Sequence, residues 1–211
     1  MWIRTYKRLF FILSIILSLS SCDSGYRFEK GEWVWVSYDE AVGRRVTNVD
    51  SADIETFKVL NEKNYAIDKN SVFLESEKIN HADPRTFEVL RNGYSKDKNR
   101  VYLDYEIVLF ANPNTFQILD FPYSKDKNDV YCGTIPLKLS KKEINEFTVT
   151  NTDSLLADTK STVVLSYFIE SNPDYAWVDT LDIKSVIIGE WATGETKSRK
   201  FKGFREINYN K

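Results

Sequence analysis

Nine residues of this chain are written nearly twice. Tyr94-Ser95-Lys96-Asp97-Lys98-Asn99-Arg100-Val101-Tyr102 returns 29 residues later as Tyr123-Ser124-Lys125-Asp126-Lys127-Asn128-Asp129-Val130-Tyr131. A looser copy, Tyr65-Ala66-Ile67-Asp68-Lys69-Asn70-Ser71-Val72-Phe73, stands 29 residues before them. A second signature keeps almost the same beat: Thr56-Phe57-Lys58-Val59-Leu60, Thr86-Phe87-Glu88-Val89-Leu90 and Thr115-Phe116-Gln117-Ile118-Leu119. A period of this length marks a repeat architecture, in which one unit is too small to bury its own apolar face and stacks on the next.

Within a unit, Asp-Lys-Asn separates two short runs of aromatic and β-branched residues, the composition of a hairpin. Asp68, Asp97 and Asp126 are expected at equivalent, solvent-accessible turn positions. Asn70, Asn99 and Asn128 are expected to supply the left-handed residue of a tight turn. Asp83-Pro84 and Asn112-Pro113, with Asp53-Ile54 as the proline-free version, read as the cap and first position of one helical turn. Phe57, Phe87 and Phe116 then point into the core. The fold class expected is mainly β, with tandem repeats of about 29 residues, each a β-hairpin plus a short helical turn.

These residues resemble the DKNYY family of bacterial repeat proteins over roughly residues 53–135. The resemblance implies a repeat fold and supplies no catalytic residue. The chain departs from the pattern at the second aromatic after the valine, where it has Leu74, Leu103 and Cys132.

Residues 1–21 resemble a bacterial lipoprotein signal peptide. Arg4, Lys7 and Arg8 precede an apolar run, Leu9 to Leu19, too short to span a bilayer as a mature helix, and Leu19-Ser20-Ser21-Cys22 follows. The resemblance implies lipidation of Cys22, a membrane partner through that lipid, and a place in the bacterial cell envelope. Residues 22–31 read as a tether, 32–150 as the repeat domain and 151–211 as an irregular C-terminal β region, a cap or diverged repeats. In that last region Val163–Ile169 and Ile183–Ile188 read as strands, and Thr193-Gly194-Glu195 as a turn. Removal of the basic leader leaves a chain more acidic than the whole, whose net charge is −2, which argues against a nucleic-acid partner.

Candidate chemistry is sparse. His81 is the single histidine and falls at a position that is Ser51 and Phe110 in the neighbouring copies, so it reads as a variable loop site. One histidine and one spare cysteine make no zinc cluster, and Cys132 aligns with leucines, as a small buried hydrophobe would. The Asp-Lys-Asn turns offer too few oxygens for calcium, with a lysine among them. No cofactor is expected. Lys197, Arg199, Lys200, Lys202 and Arg205 form the one basic cluster after the leader, a solvated strand or a contact for anionic headgroups or acidic polysaccharide. The expectation is a lipid-anchored, non-catalytic binding or scaffolding module for protein or glycan. The alternative is a carboxylate-dependent hydrolase acting on envelope polysaccharide.

Overall fold

A computed structural model describes residues 23–151, 156–178 and 183–207. The chain opens with an antiparallel sheet of β1 (Gly25–Glu29), β2 (Glu32–Asp39) and β3 (Gly43–Asn48), in that order. The stretch expected as a tether therefore contributes a strand of the fold, since β1 (Gly25–Glu29) pairs along its whole length with β2, Tyr26 opposite Trp35. Three four-stranded sheets follow. The first contains β4 (Lys58–Val59), β5 (Tyr65–Ile67), β6 (Val72–Leu74) and β7 (Glu77–Lys78). The second contains β8 (Glu88–Val89), β9 (Tyr94–Lys96), β10 (Val101–Leu103) and β11 (Glu106–Ile107). The third contains β12 (Gln117–Ile118), β13 (Tyr123–Lys125), β14 (Val130–Cys132) and β15 (Ile135–Pro136). Each is a meander of neighbouring strands, and each corresponds to one copy of the sequence repeat.

A fourth unit is built from two distant pieces. Helix α1 (Lys141–Glu146) leads into β16 (Thr148–Val149), after which come β17 (Lys160–Val164), helix α2 (Leu165–Ser171), a 3-10 turn at Pro173–Tyr175 and β18 (Ser185–Gly189). Then β19 (Thr193–Glu195), β20 (Lys200–Lys202) and β21 (Arg205–Glu206) complete the sheet in the order β16-β19-β20-β21. Residues 150–192 thus occupy the place that 119–122 occupy in the preceding unit. Of the two readings of the C-terminal region, the sheet order is that of a diverged repeat rather than a separate cap. The region is one repeat with a long insertion, and a boundary at residue 150 cuts through it.

Two local readings change accordingly. Thr193-Gly194-Glu195 is strand β19 rather than a turn, pairing Gly194 with Phe201. The apolar run Val163–Ile169 leaves the β17–β18 ribbon at Leu165 and turns helical. A short continuous apolar run carries no period that separates strand from helix. Leu165 and Phe168, three apart, are buried while Tyr167 points to solvent.

Left-handed residues mark where the chain reverses. The Asn residues of the Asp-Lys-Asn turns are not among them. The Asp side chain closes that turn by accepting two backbone N–H groups, so no left-handed residue is needed there. Positive φ falls instead on the first residue after the second hairpin strand: Glu75 (54°), Asp104 (49°), Gly133 (63°) and Gly203 (59°). The last two are glycine for a reason of space. A Cβ on Gly133 would stand 2.2 Å from the Ile187 carbonyl oxygen, and one on Gly203 2.1 Å from that of Gly189. Strand β18 of the insertion lies across both turns, where Glu75 and Asp104 have room for side chains.

The units are joined by their cores and by a ladder of tyrosines. Tyr65, Val72 and Leu74 of one unit share a cluster with Tyr102 of the next, and Tyr94, Val101 and Leu103 share one with Tyr131. The first tyrosine of each unit also donates to a backbone carbonyl of the following one. Tyr26 reaches Asn64 (3.1 Å), Tyr65 reaches Gly93 (3.5 Å), Tyr94 reaches Pro122 (3.0 Å) and Tyr123 reaches Ala192 (3.2 Å). Those four carbonyls are equivalent, each accepting the N–H of the left-handed turn residue of its own unit. A phenol hydroxyl in an apolar core needs a partner, and here the partner is the neighbouring repeat.

Candidate functional site

The repeated acids, the most regular polar feature of the sequence, turn inward. Asp68, Asp97 and Asp126 retain only 4%, 3% and 5% of their exposure, against the expectation of solvent-accessible turns. In the second unit Asp97 Oδ1 accepts the N–H groups of Asn99 (2.7 Å) and Arg100 (2.8 Å), while Oδ2 accepts the Asp83 N–H (2.9 Å) and the Tyr102 hydroxyl (3.0 Å). Asp126 repeats the set with Asn128, Asp129, Asn112 and Tyr131. Asp68 takes Asn70, Ser71 and Asp53, and has no hydroxyl donor because Phe73 replaces the tyrosine. In the fourth unit Thr196 Oγ1 substitutes, accepting from Ser198 (3.3 Å) and Arg199 (3.0 Å).

A second contact locks the two signatures together. Asp53, Asp83 and Asn112 each open a single hydrogen-bonded turn closed by Thr56, Thr86 and Thr115. The threonine hydroxyl then accepts the N–H of Lys69, Lys98 or Lys127 in the Asp-Lys-Asn turn, at 3.1, 3.2 and 3.3 Å. The lysine ammonium returns to the cap in two units, Lys69 to Asp53 (2.6 Å) and Lys98 to Asp83 (3.2 Å). Arg85 and Lys98 beside Asp83 hold its carboxyl well below the usual carboxylate range. The carboxylates at fixed spacing are thus committed to backbone donors and leave no face for a cation. The phenylalanines of the second signature are half-buried rather than enclosed; Phe57 is the most engaged, stacked on Trp33 at 4.5 Å.

Other sequence candidates fall apart from one another. Cys132 is buried, its thiol donates to the Gly189 carbonyl at 3.4 Å, and burial pushes it up to about 12. His81 is exposed on a loop. Among the described residues no group of three or more His, Cys, Asp or Glu is placed to hold a metal, and no helix is long and apolar enough to cross a membrane. The basic cluster is interleaved with acids: Lys197 lies 3.5 Å from Glu146, Arg199 3.0 Å from Glu206, and Lys200 3.5 Å from Glu195. Lys202 covers Trp191 and Arg205 covers Phe204. Cys22 lies outside the described residues.

Sequence reading passed over one carboxylate. Glu106 of β11 accepts the Ser185 hydroxyl at 2.5 Å in a cleft of about 160 Å³, with Lys78, Asn80, Tyr105 and Lys184 around it. Burial pushes its carboxyl up. Nothing in the sequence pairs Glu106 with Ser185, because the insertion that brings Ser185 there follows no repeat.

Known proteins bear on this arrangement through one comparison. The protein-family model described as DKNYY family matches residues 35–167 and again 94–203, two overlapping registers of the same repeat. No curated protein and no solved structure matches the chain.

Proposed function

The chain belongs to the DKNYY family, and from that premise we propose that it is a lipid-anchored protein of the bacterial cell envelope. Its repeat domain serves as a non-catalytic module for binding protein or glycan. The observation that carries this reading is the fate of the repeated carboxylates: Asp68, Asp97 and Asp126 are buried and each accepts three backbone N–H groups, with a tyrosine hydroxyl added on the last two. Chemistry that recurs in every unit in that form builds a lattice, and a lattice of stacked units offers extended surface. The anchor is proposed on Leu19-Ser20-Ser21-Cys22, and no nucleic-acid partner is proposed for this acidic chain. Contact of Lys197, Arg199, Lys200, Lys202 and Arg205 with an anionic surface would compete with the acids and rings that already flank them.

A hydrolase is the second reading, favoured by Glu106 alone: a half-buried carboxyl with a raised pKa in a cleft has the protonation a general acid needs. One experiment separates the two. Each Asp and Glu after Cys22 is changed to Ala, and the variants are scored for the phenotype of a full deletion. Graded losses are expected across the scan. A single carboxylate, Glu106 above all, whose loss equals the deletion in a folded and anchored protein would establish the hydrolase. Mass spectrometry of the native N-terminus tests the anchor, and an unmodified Cys22 would remove it.

A further inference from the structure

The residue two places before each turn cap is left-handed in every unit: Ser51 (φ 58°), His81 (65°), Phe110 (62°) and Lys138 (59°). All four are exposed, so they form equivalent outward positions of the repeat. A bulky aromatic is unusual in this conformation. Phe110 nevertheless keeps 60% of its exposure, so core packing does not account for it.

The insertion brings a second ring against it. Trp177 is 52% exposed and lies with its centroid 4.9 Å from that of Phe110. Its Nε1 donates to the Asp174 carbonyl at 2.6 Å, its ring lies beside that of Tyr175, and Lys138 Nζ stands 4.0 Å over the Tyr175 ring and 5.7 Å over the indole. The two exposed rings are therefore held in place before anything binds.

A cleft of about 280 Å³ opens beside Phe110, walled by Ile107 to Ala111 and Ile183 and edged by Asn99 and Arg100. Arg100 is the one charged residue of that wall. It forms no ion pair among the described residues; its side chain lies beside the Tyr102 hydroxyl, which itself donates to Asp97. The equivalent positions in the flanking units carry Ser71 and Asp129. Two departures from the repeat, Arg100 and Phe110, thus line one cleft, and the inserted Trp177 lies against the second of them.

The geometry points to a binding site for an acidic saccharide, a sugar chain bearing ring carboxylates. A pyranose has one face of C–H groups that lies against an aromatic ring and an edge of hydroxyls that needs polar partners. Phe110, with Trp177 against its ring, supplies the face and Asn99 the polar edge. The Arg100 fork takes the carboxylate, in a wall that has no acid to repel it. This assignment rests on the reading of the domain as a glycan-binding module and names the site and the sugar class.

The test is calorimetric titration of the full chain in detergent with tetragalacturonate and with its methyl ester, which has the same rings and no charge. The variants Arg100→Ser and Phe110→Ser adopt residues already present in sister repeats, so the fold is expected to survive; Trp177→Ala completes the set. The acid is expected to bind at least about tenfold tighter than the ester. Arg100→Ser should erase that preference, and Phe110→Ser and Trp177→Ala should each weaken both sugars about tenfold with unchanged melting. Binding that ignores all three substitutions would overturn the site and leave the broader glycan reading standing. Equal affinity of the parent for acid and ester would overturn the carboxylate assignment. A parent that takes neither sugar but binds hexaglutamate peptide through the same residues would overturn the saccharide in favour of a protein ligand.

Discussion

The Tyr123 hydroxyl donates to the carbonyl of Ala192 at 3.2 Å and to that of Gly203 at 2.8 Å, across 69 and 80 residues of chain. It is the fourth rung of the tyrosine ladder, and it carries the repeat over the insertion. Tyr123→Phe should cost about 1–2 kcal/mol, because the Gly203 carbonyl loses its hydroxyl donor and the Ala192 carbonyl keeps only the Gly203 N–H, while the ring keeps its place. Tyr65→Phe, whose bond to Gly93 is 3.5 Å, should cost less. Urea midpoints at constant slope measure both.

The turn aspartate should be the more demanding site. Asp97→Ala orphans the N–H groups of Asp83, Asn99 and Arg100 as well as the Tyr102 hydroxyl, for a loss of about 3 kcal/mol or more. Tyr102→Phe removes one of those four bonds and copies Phe73 of the sister unit, so about 1 kcal/mol is expected. Equal costs would mean that the carboxylate does not organise the turn.

Glycine at the third hairpin turn is required by its neighbour and not by the turn. Gly133→Asp reproduces the Asp104 of the second unit, yet its Cβ meets the Ile187 carbonyl, and a loss of at least about 2 kcal/mol is expected. Glu75→Gly, at the equivalent position with no strand across it, should stay within about 1 kcal/mol of the parent. Thermal unfolding of the pair decides.

Phe87 is half-buried, 5.9 Å from Tyr65 and 6.4 Å from Tyr102 between ring centroids. Phe87→Ala should therefore cost about 2–3 kcal/mol, at or below the low end of a fully enclosed aromatic. Lys98→Ala removes an exposed ion pair with Asp83, and a change below about 1 kcal/mol is expected. Chemical denaturation of the two variants side by side tests whether Phe87 faces the core and Lys98 the solvent.

Acid should act on two carboxyls with opposite sign. The Asp83 value is lowered by Arg85 and Lys98, so its contribution is present above the ordinary 3.8 and lost as pH falls through 3.8 toward the folded value. Asp83→Asn should be less stable than the parent at pH 7, with the gap closing below 3.8. Glu106 is raised by burial, so the parent gains stability as pH falls from the raised value toward the ordinary 4.5. Glu106→Gln should be the more stable protein at pH 7, and that advantage should vanish toward 4.5. Denaturation midpoints over a pH series read both slopes.

The sequence alone determined what is periodic. A spacing of 29 residues, a turn-forming Asp and a Thr-Phe signature define the strands, the caps and the order of the units, because those features depend on contacts a few residues apart or one repeat away. Even the cost of the long gap is visible afterwards in Gly133 and Gly203, which replace Glu75 and Asp104 where β18 crosses. Three things were settled only in three dimensions. The direction of Asp97 depends on the Asp83 N–H and the Tyr102 hydroxyl, which converge on it from separate segments, so a residue that looks like a wet turn is buried. Thr148 finds Glu195 rather than the nearer β17, because closing the fourth sheet saturates the Tyr123 hydroxyl and its core, and a longer loop adds little entropic cost to that closure. The meetings of Glu106 with Ser185 and of Phe110 with Trp177 come from an insertion that follows no period, and so no spacing in the chain foretells them.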